Sequence, residues 1–260
     1  MIGILDSGLG GLTVAAEIMR RLPGLDVLYF GDTAHSPFGQ RSAAAIRDYA
    51  LRGADYLIDA GVKTIALSSH TISCVAGDFL EEKMRVPIFS VARETIAAAI
   101  AVSRNKAFGV IASPAVVESR FYTEMICNHI DDARVYAVAA PLIAALVEEG
   151  WIKRPETAMM VKKHIHPLKT RQIDTLILGN SHYSMLRKII ARKAGKRIQL
   201  VEGVSPLVER IARHTVMSRL SETPVDQKGY LRVAITEKTA CHEKNARLFF
   251  NGNVKLEVIG

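Results

Sequence analysis

The sequence predicts an α/β protein built on parallel sheets, on three observations. Short apolar runs alternate with helical patterns along almost the whole chain. The runs are continuously apolar and bounded by Gly or Pro, as strands buried on both faces are. One strand–turn–helix design also occurs twice, at residues 63–73 and 174–184. Strict alternation of this kind reads as a doubly wound fold.

The elements follow in order. A strand over 2–5 leads to a helix over 13–22 that stops at Pro23, and 27–30 leads to 42–60, closed by Gly61. Strands at 64–67 and 87–91 precede helices at 71–82 and 93–102. The run continues with 107–111 and a helix at 116–130, then 135–139 with helices at 141–149 and 156–166. Strands at 175–178 and 199–201 precede helices at 183–192 and 206–217. From Lys228 the character changes, with strands expected at 230–235 and 254–259 around a polar segment.

Composition excludes several classes. The chain has 260 residues, 49% hydrophobic and 23% charged, enough to bury a core in one large or two smaller domains. No apolar run reaches the ~18 residues of a membrane span. The opening Met1-Ile2-Gly3 has no basic segment before an apolar stretch, so no secretory signal is expected. Cys74, Cys127 and Cys241 are odd in number and form no CxxC pair, against a disulfide framework or zinc finger and in keeping with a cytoplasmic setting. The net charge is +8, and basic residues thicken at 153–171 and 187–197. No RNP-type aromatic motif, Cys/His finger or helix-turn-helix accompanies them, so no nucleic-acid partner is expected. Solvated helix faces account for them, attraction of anions being the sharper reading.

The first strand ends in DSGLGGLT, at 6–13. A GxGxxG turn would need Gly or Ala at Thr13, and the turn opens on the carboxylate of Asp6, which repels a pyrophosphate. The repeated design places Ser69-His70-Thr71 and Asn180-Ser181-His182 after two further strands, with Ser69 and Asn180 111 residues apart. Open α/β sheets bind ligands at such strand ends. Two similar ends half a chain apart point to two α/β halves facing one another across a cleft. Asp6, Ser7, Thr71, Ser181 and His182, with backbone amides, would hold a small zwitterion or dicarboxylate. Taken singly, each is also explained as a cap or turn residue.

These residues carry a family resemblance. ILDSGLGGLT at 4–13, YFGDTA at 29–34 with Phe38-Gly39, the segment 140–150, and LILG at 176–179 with His182-Tyr183 resemble the glutamate racemases of the aspartate/glutamate racemase family. Ser113 and the stretch 119–122 also fall in place. The resemblance implies two doubly wound α/β domains related by pseudo-twofold symmetry, 1–91 plus 205–260 and 92–204, with the active site between them. It implies no cofactor, a small amino or dicarboxylic acid as ligand, and a homodimer, as is common in the family.

The same resemblance exposes a departure. Glutamate racemases move the Cα proton with two cysteines, and at those positions this chain has Ser69 and Asn180. His70, Ser181 and Phe38 also differ from the family pattern, whereas Asp6, Ser7, Gly39, Thr71, Glu148 and His182 match it. A thiol with a pKa near ~8.5 can serve as a base. A serine hydroxyl needs its own base, and an asparagine amide carries no proton near neutral pH. Cys74 lies five residues past Ser69, more than a helical turn beyond it.

Whether the chain is an enzyme therefore stays open at this point, and three readings follow. The first is altered acid–base chemistry on a small amino or carboxylic acid, run by His70 and His182 with Asp6 in support. His35, His70 and His182 could in principle also ligate a metal, though none is expected. The second is a non-catalytic, small-molecule-binding or regulatory descendant. The third is glutamate racemase itself, supplying D-glutamate to the cell wall. On the first and third readings the catalytic set is Asp6, Ser69, His70, Glu148, Asn180 and His182. Substrate would be held by Ser7, Phe38, Gly39, Thr71, Ser113 and Ser181.

Overall fold

The computed structural model describes residues 1–217 and 228–259. The chain opens with β1 (Ile2–Asp6), α1 (Leu12–Arg21), β2 (Val27–Gly31), α2 (Ala43–Asp59), β3 (Ile65–Leu67), α3 (His70–Lys83) and β4 (Ile88–Ser90). It continues with α4 (Val91–Val102), β5 (Ala107–Ala112), α5 (Pro114–Glu118), α6 (Phe121–His129), β6 (Arg134–Ala139), α7 (Pro141–Glu148) and α8 (Pro155–Thr170). Then come β7 (Thr175–Gly179), α9 (Arg187–Ala194), β8 (Gln199–Val201) and α10 (Val204–Met217), and after them β9 (Leu231–Ile235), α11 (Ala240–Phe250) and β10 (Leu256–Val258). Two compact units result, Met1–Val91 with Val204–Gly260, and Ala92–Gly203.

Both sheets are wholly parallel. The first unit orders its strands β10-β9-β2-β1-β3-β4, the second β6-β5-β7-β8. The series β2-β1-β3-β4 and β6-β5-β7-β8 are the same pattern shifted by four strands. In each, the chain leaves the central strand to one side and returns on the other. That reversal opens a crevice beyond the carboxyl ends of two strands, β1 and β3 in one sheet and β5 and β7 in the other.

Local sequence explains the elements. β1, β2 and β7 are buried at every position, the reason their runs are apolar without alternation. Ser42 caps α2 by accepting the Ala45 N–H, and α2 buries Ile46, Ala50, Gly53, Ala54 and Leu57 at helical spacing. Gly31 is dictated by packing, because a Cβ there would overlap the Gly8 carbonyl.

Four expectations are corrected. The helix expected over 116–130 is two helices, broken where Arg120 takes φ +56°. α8 runs to Thr170 and carries Pro167 in its last turn instead of ending before it. Residues Ser181–Leu186 form a 3₁₀ turn ahead of α9, where a single helix over 183–192 was expected. The polar segment between the last two strands is α11, capped by Thr239; it buries only Ala246 and Phe249 with the polar Asn245, an apolar face too narrow to see against its charges. Among the described residues no helix is long and apolar enough to cross a membrane.

Candidate functional site

In the first unit, the crevice ends of β1 and β3 carry Asp6-Ser7 and Ser68-Ser69-His70. Asp6 is 2% exposed, and its carboxylate accepts the Gly8 N–H at 2.9 Å and the Ser68 hydroxyl at 2.7 Å. A Cβ on Gly11 would overlap both Ser68 Oγ and Asp6 Oδ2. The glycine-rich turn thus closes around its own aspartate, leaving an anion where a nucleotide binder would seat a phosphate. Tyr29 beneath it has its hydroxyl pKa pushed well up, first by burial and then by the Asp6 charge, and donates to the Gly8 carbonyl at 2.9 Å.

Ser69 accepts the Ile72 N–H as the cap of α3, and its Oγ lies 3.0 Å from Ser7 Oγ. The two hydroxyls satisfy one another, and neither holds a base. His70 begins α3 and is 5% exposed; burial drives its pKa down to about 3, so it is neutral and a poor proton acceptor near pH 7. The role of base assigned to His70 from the sequence therefore meets a physical obstacle. Thr71 is buried in the same turn. Phe38 and Gly39 sit in a short 3₁₀ turn, with the buried Phe38 ring 5.4 Å from Tyr49. His35 belongs to a separate cluster: its Nδ1 lies 2.9 Å from Asp32 Oδ1, its ring stacks on Tyr49 at 4.2 Å, and Thr236 donates to the same Asp32 oxygen.

In the second unit, β5 ends at the buried Ser113 and β7 at Asn180-Ser181-His182. Asn180 Oδ1 accepts the backbone N–H of His182 at 3.0 Å, which identifies that atom as the oxygen. His182 Nδ1 lies 2.9 Å from the same oxygen, and its Nε2 lies 3.0 Å from Glu148 Oε1 at the end of α7. Both ring nitrogens therefore face oxygen atoms of polar partners. With its oxygen committed, Asn180 is left to present its NH₂ as a donor. Ser181 sits half-buried in the turn between them.

Tyr183, which the sequence reading used only for its resemblance, anchors this strand end. Its buried hydroxyl donates to the Ala140 carbonyl at 2.8 Å, and burial pushes its pKa well up. Ser68 and Tyr29 were likewise missed as site residues, because a lone Ser or Tyr in an apolar run gives no signal of its partner. Among the described residues no three His, Cys, Asp or Glu side chains gather as a metal site. Cys74 is buried inside α3, its thiol pushed well up by burial and by nearby Asp78, which leaves it unsuited to replace a catalytic thiolate.

Two doubly wound sheets with polar side chains at their reversal points, and a carboxylate in place of a phosphate cradle, define a small-molecule α/β protein outside the dinucleotide binders. Residues 17–211, three quarters of the chain, match the Asp/Glu/Hydantoin racemase family. The chain is 36% identical to a glutamate racemase of Neisseria meningitidis over 88% of its length and 85% of that protein. It is 34% identical to one from Sulfurihydrogenibium over 99% and 96%. A crystal structure of glutamate racemase from Francisella tularensis in complex with D-glutamate aligns with TM-score 0.93 and 28% identity, over 100% of this chain and 97% of that one. This chain belongs to the Asp/Glu/Hydantoin racemase family.

Proposed function

We propose that this chain is a glutamate-binding member of its family that exchanges the Cα proton on one face, with His182 as the proton carrier. The observation that carries this reading is the contrast between the strand ends of the two units. At β7, His182 bridges Asn180 Oδ1 and Glu148 Oε1. At β3, the hydroxyls of Ser69 and Ser7 pair with each other beside a neutral, buried His70. Glutamate is supported as the ligand by the names of the relatives and by the D-glutamate complex of one of them.

The chemistry follows from the donors and acceptors. Asn180 NH₂, the Ser7, Ser69 and Ser181 hydroxyls and the Thr71 and Ser113 side chains would hold the two carboxylates, with Asp6 as the anionic counterpart of the ammonium group. Inversion at Cα needs a proton carrier on each face. Removal requires the neutral ring, with the Nε2 proton passed to the Glu148 carboxylate; the Cα proton goes to Nε2, exchanges with solvent and returns to the same face, which keeps the configuration. The reading suits a cytoplasmic protein.

The test is to incubate L- and D-glutamate separately in D₂O and follow Cα–H by NMR and configuration by chiral chromatography. Deuterium entering one enantiomer without inversion is the expected result, and absence of exchange in both overturns it. The second reading, glutamate racemase supplying D-glutamate for the cell wall, is favoured by 36% identity over 88% of the chain. Its mark is inversion by the wild-type protein. A Ser69→Cys/Asn180→Cys double variant supplies the comparison: restoring a thiol to each strand end is expected to convert exchange into inversion.

A further inference from the structure

The positive charge of this chain is concentrated in one unit. Residues 92–203 hold 17 Lys and Arg against 10 Asp and Glu, a net +7 of the chain's +8. Glutamate chemistry at the Asn180 end makes no use of it. Part of this charge gathers at the opposite edge of the second sheet, where β5, β7 and β8 begin. Three loops meet there, following the C-termini of α4, α8 and α9. They enclose a cavity of about 760 Å³ lined by Arg104, Lys169, Lys196 and Arg197, with Asp174 as the one carboxylate.

Helix C-termini attract cations, which accounts for some basic residues here. Lys169 fills that role, donating from Nζ to the Lys193 carbonyl at 3.1 Å. Among the described residues, the side chains of Arg104, Lys196 and Arg197 make no hydrogen bond and no ion pair. Asp174 does not neutralise them, because it fastens the loops. Its carboxylate accepts the Ser103 hydroxyl at 2.9 Å, the Arg104 and Asn105 N–H groups at 2.6 and 2.8 Å, and the Thr175 hydroxyl at 2.8 Å. Burial raises its pKa, but those bonds outweigh it and hold the carboxyl below its usual range. Its carbonyl also accepts the Gln199 N–H at 2.7 Å, tying the third loop to the same point. Four like charges are therefore held around one cavity by a fixed scaffold, and a multiply charged anion relieves their repulsion.

We propose that this cavity binds a compact phosphorylated small molecule with at least two adjacent phosphates. Its volume is that of a small-ligand site. No aromatic side chain lines it, so stacking of nucleic-acid bases has no platform there. The phosphate chain itself is the recognised element, whether inorganic or part of a nucleotide.

Calorimetric titration of the full chain with sodium tripolyphosphate, and separately with ATP, tests this at low salt. Single-site binding is expected, weakened about tenfold or more by Arg104→Gln/Lys196→Gln through loss of charge-assisted contacts. Lys162→Gln/Lys163→Gln makes the same charge change on the exposed face of α8, outside the cavity, and is expected to leave affinity within about twofold. Equal affinity for the two probes identifies the phosphate chain as sufficient, whereas tighter ATP binding identifies a nucleotide as the source. Single Lys196→Gln, at an exposed side chain, serves if the double variant fails to fold. No binding of either probe overturns the proposal. So does equal weakening by both double variants, and so does duplex DNA binding that tripolyphosphate does not displace.

Discussion

The ends of β3 and β7 are written in similar residues and placed in different surroundings. Each has an apolar strand, a small polar residue, a hydroxyl and a histidine, at equivalent places in the four-strand series that the six-stranded and four-stranded sheets share. At β3 the histidine opens a regular α-helix and is buried, so its ring is neutral. At β7 the chain takes a 3₁₀ turn first, and the histidine is placed between an amide oxygen and a carboxylate. One turn of backbone geometry decides whether an imidazole is buried as packing or set between two polar partners.

The largest expected effect tests the buried member of this pair. The folded pKa of His70, about 3, lies below the value near 6.5 of an unfolded histidine. As pH falls, the unfolded chain takes up the proton first, so stability present in full above about pH 6.5 is lost down to about pH 3. The loss amounts to roughly 4–5 kcal/mol. Urea unfolding across that window should show it, and His70→Gln should remove that part of the slope. A variant with the wild-type pH profile would mean that His70 takes up its proton equally in the folded and unfolded chain, so that burial does not hold it neutral.

The next effect belongs to the other strand end. His182→Gln should lower Cα exchange of glutamate about 100-fold or more, the contribution of a positioned acid–base group. Glutamate affinity should fall much less, since Asn180 and Ser181 remain. Equal losses in exchange and affinity would make His182 a binding residue only.

Two smaller changes probe the supports. Gly11→Ala pushes a methyl group into Ser68 and Asp6 and should cost about 1–3 kcal/mol of stability. Tyr183→Phe removes one of two donors to the Ala140 carbonyl, which keeps the Ile143 N–H at 3.2 Å, and should cost about 0.5–1.5 kcal/mol. Denaturant midpoints measure both. If either variant unfolds at the wild-type midpoint, the corresponding strand end is held by backbone pairing rather than by its polar anchor.

Much of the fold was legible in advance because parallel strands and amphipathic helices announce themselves through short-range apolar periods. The strand expected over 199–201 is β8, residue for residue. What failed was local and had a cause. Arg120 adopts a left-handed conformation that its side chain does not advertise. Pro167 sits inside α8, where tertiary packing outweighs its helix-breaking preference, and α11 hides a narrow apolar stripe among charges.

The site divides the same way. Apolar alternation and motif order determined the doubly wound α/β architecture and the polar strand ends, and the resemblance of those motifs to the glutamate racemases showed all three cysteines away from Ser69 and Asn180, since residue identity and spacing suffice for these. Only the tertiary structure decided that Asp6 is enclosed by its own glycine turn, that His70 is neutral, and that His182 bridges Asn180 and Glu148. Protonation and hydrogen bonding depend on burial and on partners distant in the chain, and Glu148 reaches His182 across 34 residues that carry no sequence mark of the contact.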